Sequence, residues 1–293
     1  MRTNTYAYAE VGRAGLGNRL LPWARCEVFS REHNVPMLAP QWVRIKIGPL
    51  LRHEIDSRLY MGQFDSSSYI HGVEKWAILL AGRKMDELRA RELGSECDIS
   101  SGATIRPTIV MFRGMADGFA SLFPHRQFIG SRLVEILSPR NKALLSSRSA
   151  DQAIGVHIRR GDHGPCLKPG EAIPSKGLWN LPEQWFINCI RDIRKIVGAV
   201  PVNVFSDAYP SEISGVLSLP DTTLIRSNPA IVDLLLLSRS GIVVTSWSWF
   251  SMWAAFLSPN KSLWFPSPDF EIFRNHGLPV VSTDHYGNVE GPL

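Results

Sequence analysis

The sequence lacks the features of membrane-spanning and disulfide-stabilised proteins. It contains no apolar run near the roughly 18 residues that are needed to cross a bilayer, and its first residues show no signal-peptide core. Only 4 of its 293 residues are cysteine, and none of them forms a Cys-x-x-Cys pair. We therefore expect reduced thiols and a cytoplasmic protein. The cysteines are Cys26, Cys97, Cys166 and Cys189.

The charge balance is basic, but most of the basic residues are scattered. The formal net charge is +5, and the chain is 20% charged and 44% hydrophobic, which is ordinary for a globular protein. A positive surplus favours an anionic partner such as phosphate, nucleic acid or an acidic membrane surface. Stripes of Lys and Arg with interleaved aromatic residues would indicate nucleic-acid binding, and the scattered charge argues against it.

Residues 153–162, AIGVHIRRGD, predict a buried strand that ends in cationic side chains. Alternating Ile and Val residues place one apolar face on a core. Ligands of open parallel sheets bind beyond the carboxyl ends of the strands, and arginine binds phosphate through two parallel hydrogen bonds. We therefore predict an anion site here, with structural ion pairs at a domain surface as the alternative. The residues at this strand end are His157, Arg159 and Arg160.

A glycine-rich turn near the N-terminus predicts a second anion site. It follows a strand at residues 5–11 and leads into a helix over residues 19–33, with Asn18 as N-cap and Pro22 in the first turn. The N–H groups at such a helix start bind anions. The glycines of this turn are Gly12, Gly15 and Gly17.

A dinucleotide-binding fold is not favoured by this turn. Its fingerprint is Gly-x-Gly-x-x-Gly, whereas this chain has Gly-x-x-Gly-x-Gly at residues 12–17. The second strand, residues 35–38, is also followed by Ala39-Pro40 instead of an acidic residue that would bind a ribose.

The remaining pattern predicts an α/β fold in two domains, residues 1–148 and 149–293. In the second domain strands and helices alternate, which predicts a parallel sheet covered by helices on both faces. We expect the tail, residues 266–293, to pack back on the N-terminal half. In the first domain we predict helices at 74–93 and 126–137 and a strand at 107–112. In the second we predict strands at 153–158, 202–206, 223–225, 241–245 and 262–265, and helices at 182–197, 211–217, 230–238 and 249–257.

Two further strand ends in the second domain are polar. Asp207 ends a strand, where it accepts N–H groups either from a base or ribose or from its own turn. The turn Ser246–Ser251 enters a helix, and its hydroxyl and N–H groups suit a phosphate. Asp207, Ser246, Ser248, Phe250 and Ser251 are therefore candidate ligand contacts.

Taken in order, these motifs resemble the α-1,2-fucosyltransferase family, within the wider group of α-1,2-, α-1,6- and protein O-fucosyltransferases. The resemblance covers about residues 11–265. Four motifs carry it: Gly-x-Gly-Asn, His-x-Arg-Arg-Gly-Asp, Phe-Ser-Asp and a Ser-x-Phe-Ser-x-Trp helix start. They stand here as residues Gly15–Asn18, His157–Asp162, Phe205–Asp207 and Ser248–Ala255.

The resemblance implies a GT-B type fold, with two Rossmann-like halves facing across a cleft. It implies inverting transfer of fucose from GDP-fucose to a hydroxyl, O2 of a galactoside, in an oligosaccharide or glycolipid at the cytoplasmic face of the membrane. The first half would hold the acceptor and the second the donor. The implied catalytic residues are Arg160, Arg159, His157 and Asn18, and the implied donor contacts add Gly15, Gly17, Asp207, Ser246, Ser248, Phe250 and Ser251.

The resemblance also implies a reaction without a metal or other cofactor. The sequence has no Asp-x-Asp, and its nearest approach is Asp269-Phe270-Glu271. The arginines would then offset the charge that develops on the departing diphosphate. A carboxylate is the usual base for such a transfer. The candidates in the first half are Glu10, Glu54, Asp56 and Asp65, and the sequence does not rank them.

Several positions depart from the family pattern, and they bear on donor-site detail and acceptor choice. Arg19 and His163 stand where the family has Gln and Tyr. Ala208 replaces a frequent second Asp, and Ser246-Trp247-Ser248 replaces Asn-Ser-Ser. Transfer of another GDP-deoxysugar and a non-catalytic GDP-sugar-binding role are the alternatives.

Overall fold

The computed structural model describes residues 4–43, 60–93, 106–150, 152–161, 164–174, 179–226 and 228–293. These residues form two compact units, one that ends at Pro139 and one that begins at Arg140, a few residues before the division predicted from the sequence. Each unit contains a parallel sheet with helices, so the predicted α/β class is confirmed. Within the described ranges, no helix is long and apolar enough to cross a membrane.

The first unit is built on a four-stranded sheet in the order β2-β1-β4-β3, in which every neighbouring pair is parallel. Tyr8 of β1 lies opposite Leu38 on one side and Met111 on the other, and these three residues share a small core with Ile109. The strands are β1 (Thr5–Glu10), β2 (Met37–Leu38), β3 (Arg83–Asp86) and β4 (Thr108–Arg113), and the helices are α1 (Leu16–Glu32), α2 (Gly72–Ala81), α3 (Glu87–Leu93) and α4 (Arg126–Glu135).

Helix α1 begins earlier than the sequence pattern predicts. Its N-cap is Gly15, in an extended conformation, and the Arg19 N–H donates to the Gly15 carbonyl at 3.2 Å. The predicted N-cap role of Asn18 is therefore wrong, because Asn18 already lies in the first helical turn. Pro22 accordingly lies inside the helix and not in its first turn.

The single helix predicted over residues 74–93 is also wrong. The chain leaves α2 at Gly82, forms β3 along the edge of the sheet and re-enters a helix at Glu87. A Cβ at Gly82 would lie 2.5 Å from Ile109 Cδ1 and 2.8 Å from the Ile78 carbonyl oxygen, so the chain turns into the sheet where no side chain fits. Propensity favoured a continuous helix, and tertiary packing at this glycine overrides it.

The second unit is built on a seven-stranded sheet in the order β11-β10-β9-β8-β5-β6-β7. Every neighbouring pair is parallel except β10 and β11. The strands are β5 (Ile154–Ile158), β6 (Val202–Ser206), β7 (Thr222–Ile225), β8 (Ile242–Val244), β9 (Lys261–Trp264), β10 (Val280–Thr283) and β11 (Val289–Glu290). The helices are α5 (Pro139–Ser146), α6 (Glu183–Val197), α7 (Ser214–Leu217), α8 (Ala230–Ser238), α9 (Trp249–Leu257) and α10 (Pro268–Asn275).

The parallel strands of this sheet follow the doubly wound order of nucleotide-binding folds. If these six strands are numbered 1 to 6 in chain order from β5, the sheet reads 3-2-1-4-5-6 from β7 to β10. The direction of winding reverses between β5 and β8. A crevice opens at such a switch point, beyond the carboxyl ends of the two strands. Strand β5 is buried throughout, with Val156 and Ile158 both fully inaccessible.

Residues 266–293, which we expected to pack back on the N-terminal half, belong to the second unit and its sheet. They contribute α10, β10 and β11, and β10 pairs in parallel with β9. Val281 and Thr283 are buried, and the Thr283 hydroxyl donates to the Trp264 carbonyl at 3.0 Å. The tail is therefore an integral part of the second sheet.

Candidate functional site

Two arginines and an aspartate meet at the carboxyl ends of β5 and β6. The Arg160 backbone N–H donates to Asp207 Oδ1 at 2.8 Å, and the Arg159 guanidinium forms an ion pair with Asp207 Oδ2. The side chains of Arg159 and Asp207 are 21% and 15% exposed, so water screens this pair only in part. Because β5 and β6 are parallel neighbours, the residues that follow them are brought together at one sheet edge.

The charges of the two arginines are balanced differently. Asp207 neutralises Arg159, whereas Arg160 Nη1 donates to the carbonyl oxygens of Arg159 at 3.1 Å and Leu181 at 3.0 Å. No carboxylate of the described residues forms an ion pair with Arg160. Neutral carbonyls do not offset the charge of a guanidinium as a carboxylate does, so we expect Arg160 to attract an anion more strongly than Arg159.

Gly161 permits the close approach of this loop to Asp207. It has φ of +27°, and a Cβ there would overlap Asp207 Oδ2 and lie 3.5 Å from Arg159 Cζ. Only glycine therefore fits between the arginine loop and its carboxylate. The next two residues of the motif, Asp162 and His163, lie outside the described residues.

An imidazole is fixed at the switch point itself. His157 of β5 lies with Nδ1 2.6 Å from Ser246 Oγ and 3.3 Å from Ser248 Oγ, and both serines follow β8. Its ring stacks on Phe250, with centroids 4.8 Å apart, and it is only 6% exposed. The predicted residues His157, Ser246, Ser248 and Phe250 are thus brought together across β5 and β8.

The serines of this turn hold the start of α9. Ser248 is the N-cap and accepts the Ser251 N–H at 3.3 Å. Ser251 is fully buried, and its hydroxyl donates to the Ser246 carbonyl at 2.6 Å. The turn therefore sets a helix N-terminus, with its positive end, directly beside His157.

The predicted residues of the first unit lie where β1 leads into α1. Gly12 has φ of +60° and turns the chain after β1, Gly15 is the N-cap, and Gly17 and Asn18 occupy the first helical turn. Gly15 has no side chain to cap the helix, so the turn presents backbone at the carboxyl edge of the first sheet.

Two of the four candidate bases lie among the described residues, and both have partners. Glu10 forms an ion pair with Arg113 at 2.5 Å, and both side chains are more than one-third exposed. Asp65 accepts the Ser67 N–H at 2.9 Å and the Ser67 hydroxyl at 2.8 Å, which closes a local turn. Glu54 and Asp56 lie outside the described residues.

The site also includes residues that the sequence pattern did not single out. Ser206 ties the two strand ends together, because its hydroxyl donates to the Ile158 carbonyl at 2.6 Å and accepts the Ala208 N–H at 3.0 Å. Arg226 donates to the Ala208 carbonyl at 2.6 Å. Arg226 directly follows β7, so the strand-end rule that identified the other residues applies to it as well. The Leu181 carbonyl has no such sequence signal.

The side chains that could bind a metal ion or form a disulfide are dispersed among the described residues. Across the described ranges, no group of three or more His, Cys, Asp or Glu side chains is placed to hold a metal ion. Cys26, Cys166 and Cys189 are free thiols, and burial raises the pKa of all three. Cys97 lies outside the described residues.

Solved structures share the fold of this chain. NodZ α-1,6-fucosyltransferase soaked with GDP-fucose aligns with a TM-score of 0.52 at 16% identity, over 86% of this chain and 92% of that chain. POFUT1 in complex with GDP-fucose aligns with a TM-score of 0.53 at 14% identity, over 89% of this chain and 98% of that chain. NodZ co-crystallised with GDP aligns with a TM-score of 0.52 at 15% identity, over 99% and 98% of the two chains.

These comparisons define the chain by its fold. No protein-family model matches the sequence, and no curated protein sequence matches it. At 14 to 16% identity, the solved structures show a common architecture, which is that of GT-B fucosyltransferases. The GT-B type of fold expected from the sequence motifs is therefore confirmed.

Proposed function

We propose that this protein is an inverting, metal-independent glycosyltransferase that moves fucose from GDP-fucose to a hydroxyl of a glycan acceptor. One observation carries the proposal: the Arg159–Arg160 loop lies on Asp207 beside the switch point of a doubly wound sheet. The fold shared with structures described as bound to GDP-fucose or GDP supports the same donor.

Arg160 is the residue that we assign to the donor diphosphate. Departure of GDP builds negative charge on its β-phosphate while the sugar becomes cationic. Metal-dependent transferases offset that charge with a divalent ion, and a fixed guanidinium beside the departing diphosphate would supply the same stabilisation. Arg160 is suited to this because it forms no ion pair with a carboxylate of the described residues, and because two carbonyl oxygens fix its position.

We assign Asp207 to the positioning of the arginine loop. The sequence offered two roles for Asp207, a contact with a base or ribose of the donor or a cap of its own turn. Its two oxygens instead engage the Arg160 N–H and the Arg159 guanidinium, which favours a role that acts through the arginines. Arg159 and Asp207 would then hold the loop while Arg160 contacts the substrate.

His157 and the Ser246–Ser251 turn would complete the donor site. The imidazole is fixed by Ser246 and Phe250, and α9 directs its N-terminus to the same place. Backbone N–H groups at a helix start stabilise phosphate. The glycine turn with Asn18 would act on the diphosphate or the sugar in the same reaction. We propose O2 of a galactoside, in an oligosaccharide or glycolipid, as the acceptor hydroxyl.

Turnover with defined donors tests the proposal. GDP release from GDP-fucose is measured in EDTA with a panel of galactosides, and the linkage and anomeric configuration of the product are read by NMR. We expect acceptor-dependent GDP release and an inverted product linked at O2. Faster release from another GDP-deoxysugar would replace the donor. Nucleotide binding without turnover would favour a non-catalytic GDP-sugar-binding protein and contradict the assignment of an enzyme.

A further inference from the structure

Helix α2 carries apolar side chains on two opposite faces, and only one of them is covered. Ile78 and Leu79 pack on the core of the first sheet. On the other face Val73 is 87% exposed, Trp76 is 49% exposed and Leu80 is 86% exposed. With Ala77, which is also exposed, these residues form an i, i+3, i+4, i+7 stripe. We call residues Val73, Trp76, Ala77 and Leu80 the outer face of α2.

Helix α2 also turns an apolar stripe toward water, which an ordinary surface helix does not. A helix on a protein surface normally turns its charged residues to water and its apolar stripe to the core. In α2 the inward face holds the charged residue Lys75, which is only 6% exposed, beside Ile78 and Leu79. Its ammonium group lies 5.3 Å from the centre of the Tyr8 ring and 4.8 Å from that of Trp76, and these cation–π contacts stabilise the inward position. The outer face is therefore left apolar.

Basic side chains border one end of this face. Arg83 and Lys84 follow Gly82 at the start of β3, and both are exposed. The Arg83 N–H donates to the Pro107 carbonyl at 2.7 Å, which brings the exposed Arg106 to the same edge. Of the exposed acids nearby, Glu74 lies at the opposite end of the helix, and Asp86 accepts the Leu88 N–H at 3.0 Å. The Gly82 end of α2 is thus locally positive.

We propose that the outer face of α2 docks on an anionic lipid surface, with Arg83, Lys84 and Arg106 against the headgroups. A short apolar face with Trp and Leu beside Lys and Arg is the arrangement by which helices lie in a membrane interface. The net charge of +5 adds a long-range attraction to such a surface. A second copy of the chain carries the same net charge of +5, so long-range repulsion disfavours it relative to an anionic surface.

The proposal rests on the first unit alone and does not depend on the donor site. Vesicle flotation tests it with neutral phosphatidylcholine and with phosphatidylcholine that contains about 30% phosphatidylglycerol. We expect binding to the anionic vesicles that weakens as salt is added. The double variant V73Q/L80Q should bind at least about tenfold more weakly, because two apolar side chains no longer enter the interface. Both residues are more than four-fifths exposed, so the variant retains its fold.

Two further variants sharpen the test. R83Q/K84Q should lose about fivefold in binding per charge and most of the salt dependence. I196Q is the matched control, because Ile196 is an apolar residue of α6 that is 58% exposed in the second unit, and it should bind vesicles like the wild type.

Two results would overturn the proposal. One is equal vesicle binding by the wild type and V73Q/L80Q, or no binding by either. The other is a dimer in analytical ultracentrifugation that V73Q/L80Q abolishes, which would assign the face to a second copy of the chain. The thermal shift produced by GDP should be the same in the wild type and V73Q/L80Q, so failure at the membrane is distinguishable from failure of the proposed function.

Discussion

Arg159 and Arg160 are neighbours in one loop, but we assign them different roles because their surroundings differ. Arg159 is balanced by the carboxylate of Asp207, and Arg160 is held by the carbonyls of Arg159 and Leu181. The first arrangement fixes a loop, and the second leaves a cation to bind an anion. We therefore expect the loss of Arg160 to lower turnover directly, and a change that displaces Asp207 to act through the position of the loop.

Replacing Arg160 with Ala should lower the rate of fucose transfer by at least about 100-fold, the usual effect of removing one charge-stabilising donor. The free energy of unfolding should change little, because Arg160 is only half-buried and the Leu181 carbonyl keeps the Cys166 thiol as a donor at 3.5 Å. Initial rates of GDP release and the urea midpoint measure the two effects. Arg191→Ala, which removes an exposed arginine of α6, serves as the control and should keep full activity. A folded Arg160→Ala enzyme with near-normal turnover would contradict the assignment.

Replacing Gly161 with Ala should weaken GDP binding by forcing Asp207 away from the Arg160 N–H. The new Cβ would overlap Asp207 Oδ2, and φ of +27° is strained for any other residue. Gly198→Ala is the matched control, because Gly198 has φ of +89° and nothing within 4 Å of its Cβ position. Calorimetric titration with GDP should show lower affinity for the first variant only. Equal GDP affinity in both variants would mean that the Asp207 contact does not hold the site.

The sequence predicted which residues gather in the site better than what each one does. Strand ends in a parallel sheet are brought to one edge by topology, so His157, Asp207 and Ser246 could be grouped from pattern alone. Partners could not be predicted in this way. The bond between Asp207 and the Arg160 N–H depends on Gly161 and on the register of β5 against β6, which the side-chain pattern does not contain.

Among the elements, those of the second unit were predicted most closely, because buried parallel strands are short apolar runs between amphipathic helices. Strands β5 and β6 and helix α8 lie within a residue of their predicted bounds. The strands β3, β10 and β11 were missed. The β3 segment is Arg-Lys-Met-Asp, which has no apolar alternation, and β10 and β11 lie in a tail rich in Pro and Gly.

Replacing Gly82 with Ala distinguishes the observed break from the predicted continuous helix. In a continuous helix the change would stabilise the protein by about 1 kcal/mol. In this structure the added Cβ lies 2.8 Å from the Ile78 carbonyl oxygen, so overpacking should destabilise it by about 1–3 kcal/mol. Urea unfolding gives the sign directly. A rise in the midpoint would contradict the α2–β3 arrangement, and GDP affinity should be unchanged in either case.

At the scale of the whole molecule, stability should fall at alkaline pH because of Tyr69. Its hydroxyl donates to the Glu27 carboxylate and accepts the Trp23 indole N–H at 3.1 Å. Burial, followed by the charge of Glu27, raises the pKa of Tyr69 well above its ordinary value. A raised pKa means that the folded state keeps a proton that the unfolded state loses. The contribution of Tyr69 to stability should therefore be full below pH of about 10 and fall by about 1.4 kcal/mol per pH unit above it, in addition to the loss from the buried thiols of Cys26 and Cys189, whose pKa values are also raised.

Urea midpoints between about pH 8 and 11 measure this loss. Tyr69→Phe should be less stable at neutral pH and show a flatter decline above pH of about 10. Tyr286→Phe is the control, since Tyr286 is 56% exposed. The same alkaline slope in the wild type and Tyr69→Phe would show that Tyr69 is not the responsible group.

The fold is shared with solved fucosyltransferase structures at 14 to 16% identity. Because a shared fold does not establish a function, the proposed function depends on the residues of the site. A thermal-shift titration of the wild type and Arg160→Ala with GDP, UDP, ADP and CDP in EDTA tests that site most directly. A ligand at about 100 times its dissociation constant stabilises by about 2.7 kcal/mol. We predict a shift of several degrees with GDP alone, unaffected by EDTA and lost in Arg160→Ala. No shift with any nucleotide, or one that requires a divalent ion, would contradict the account.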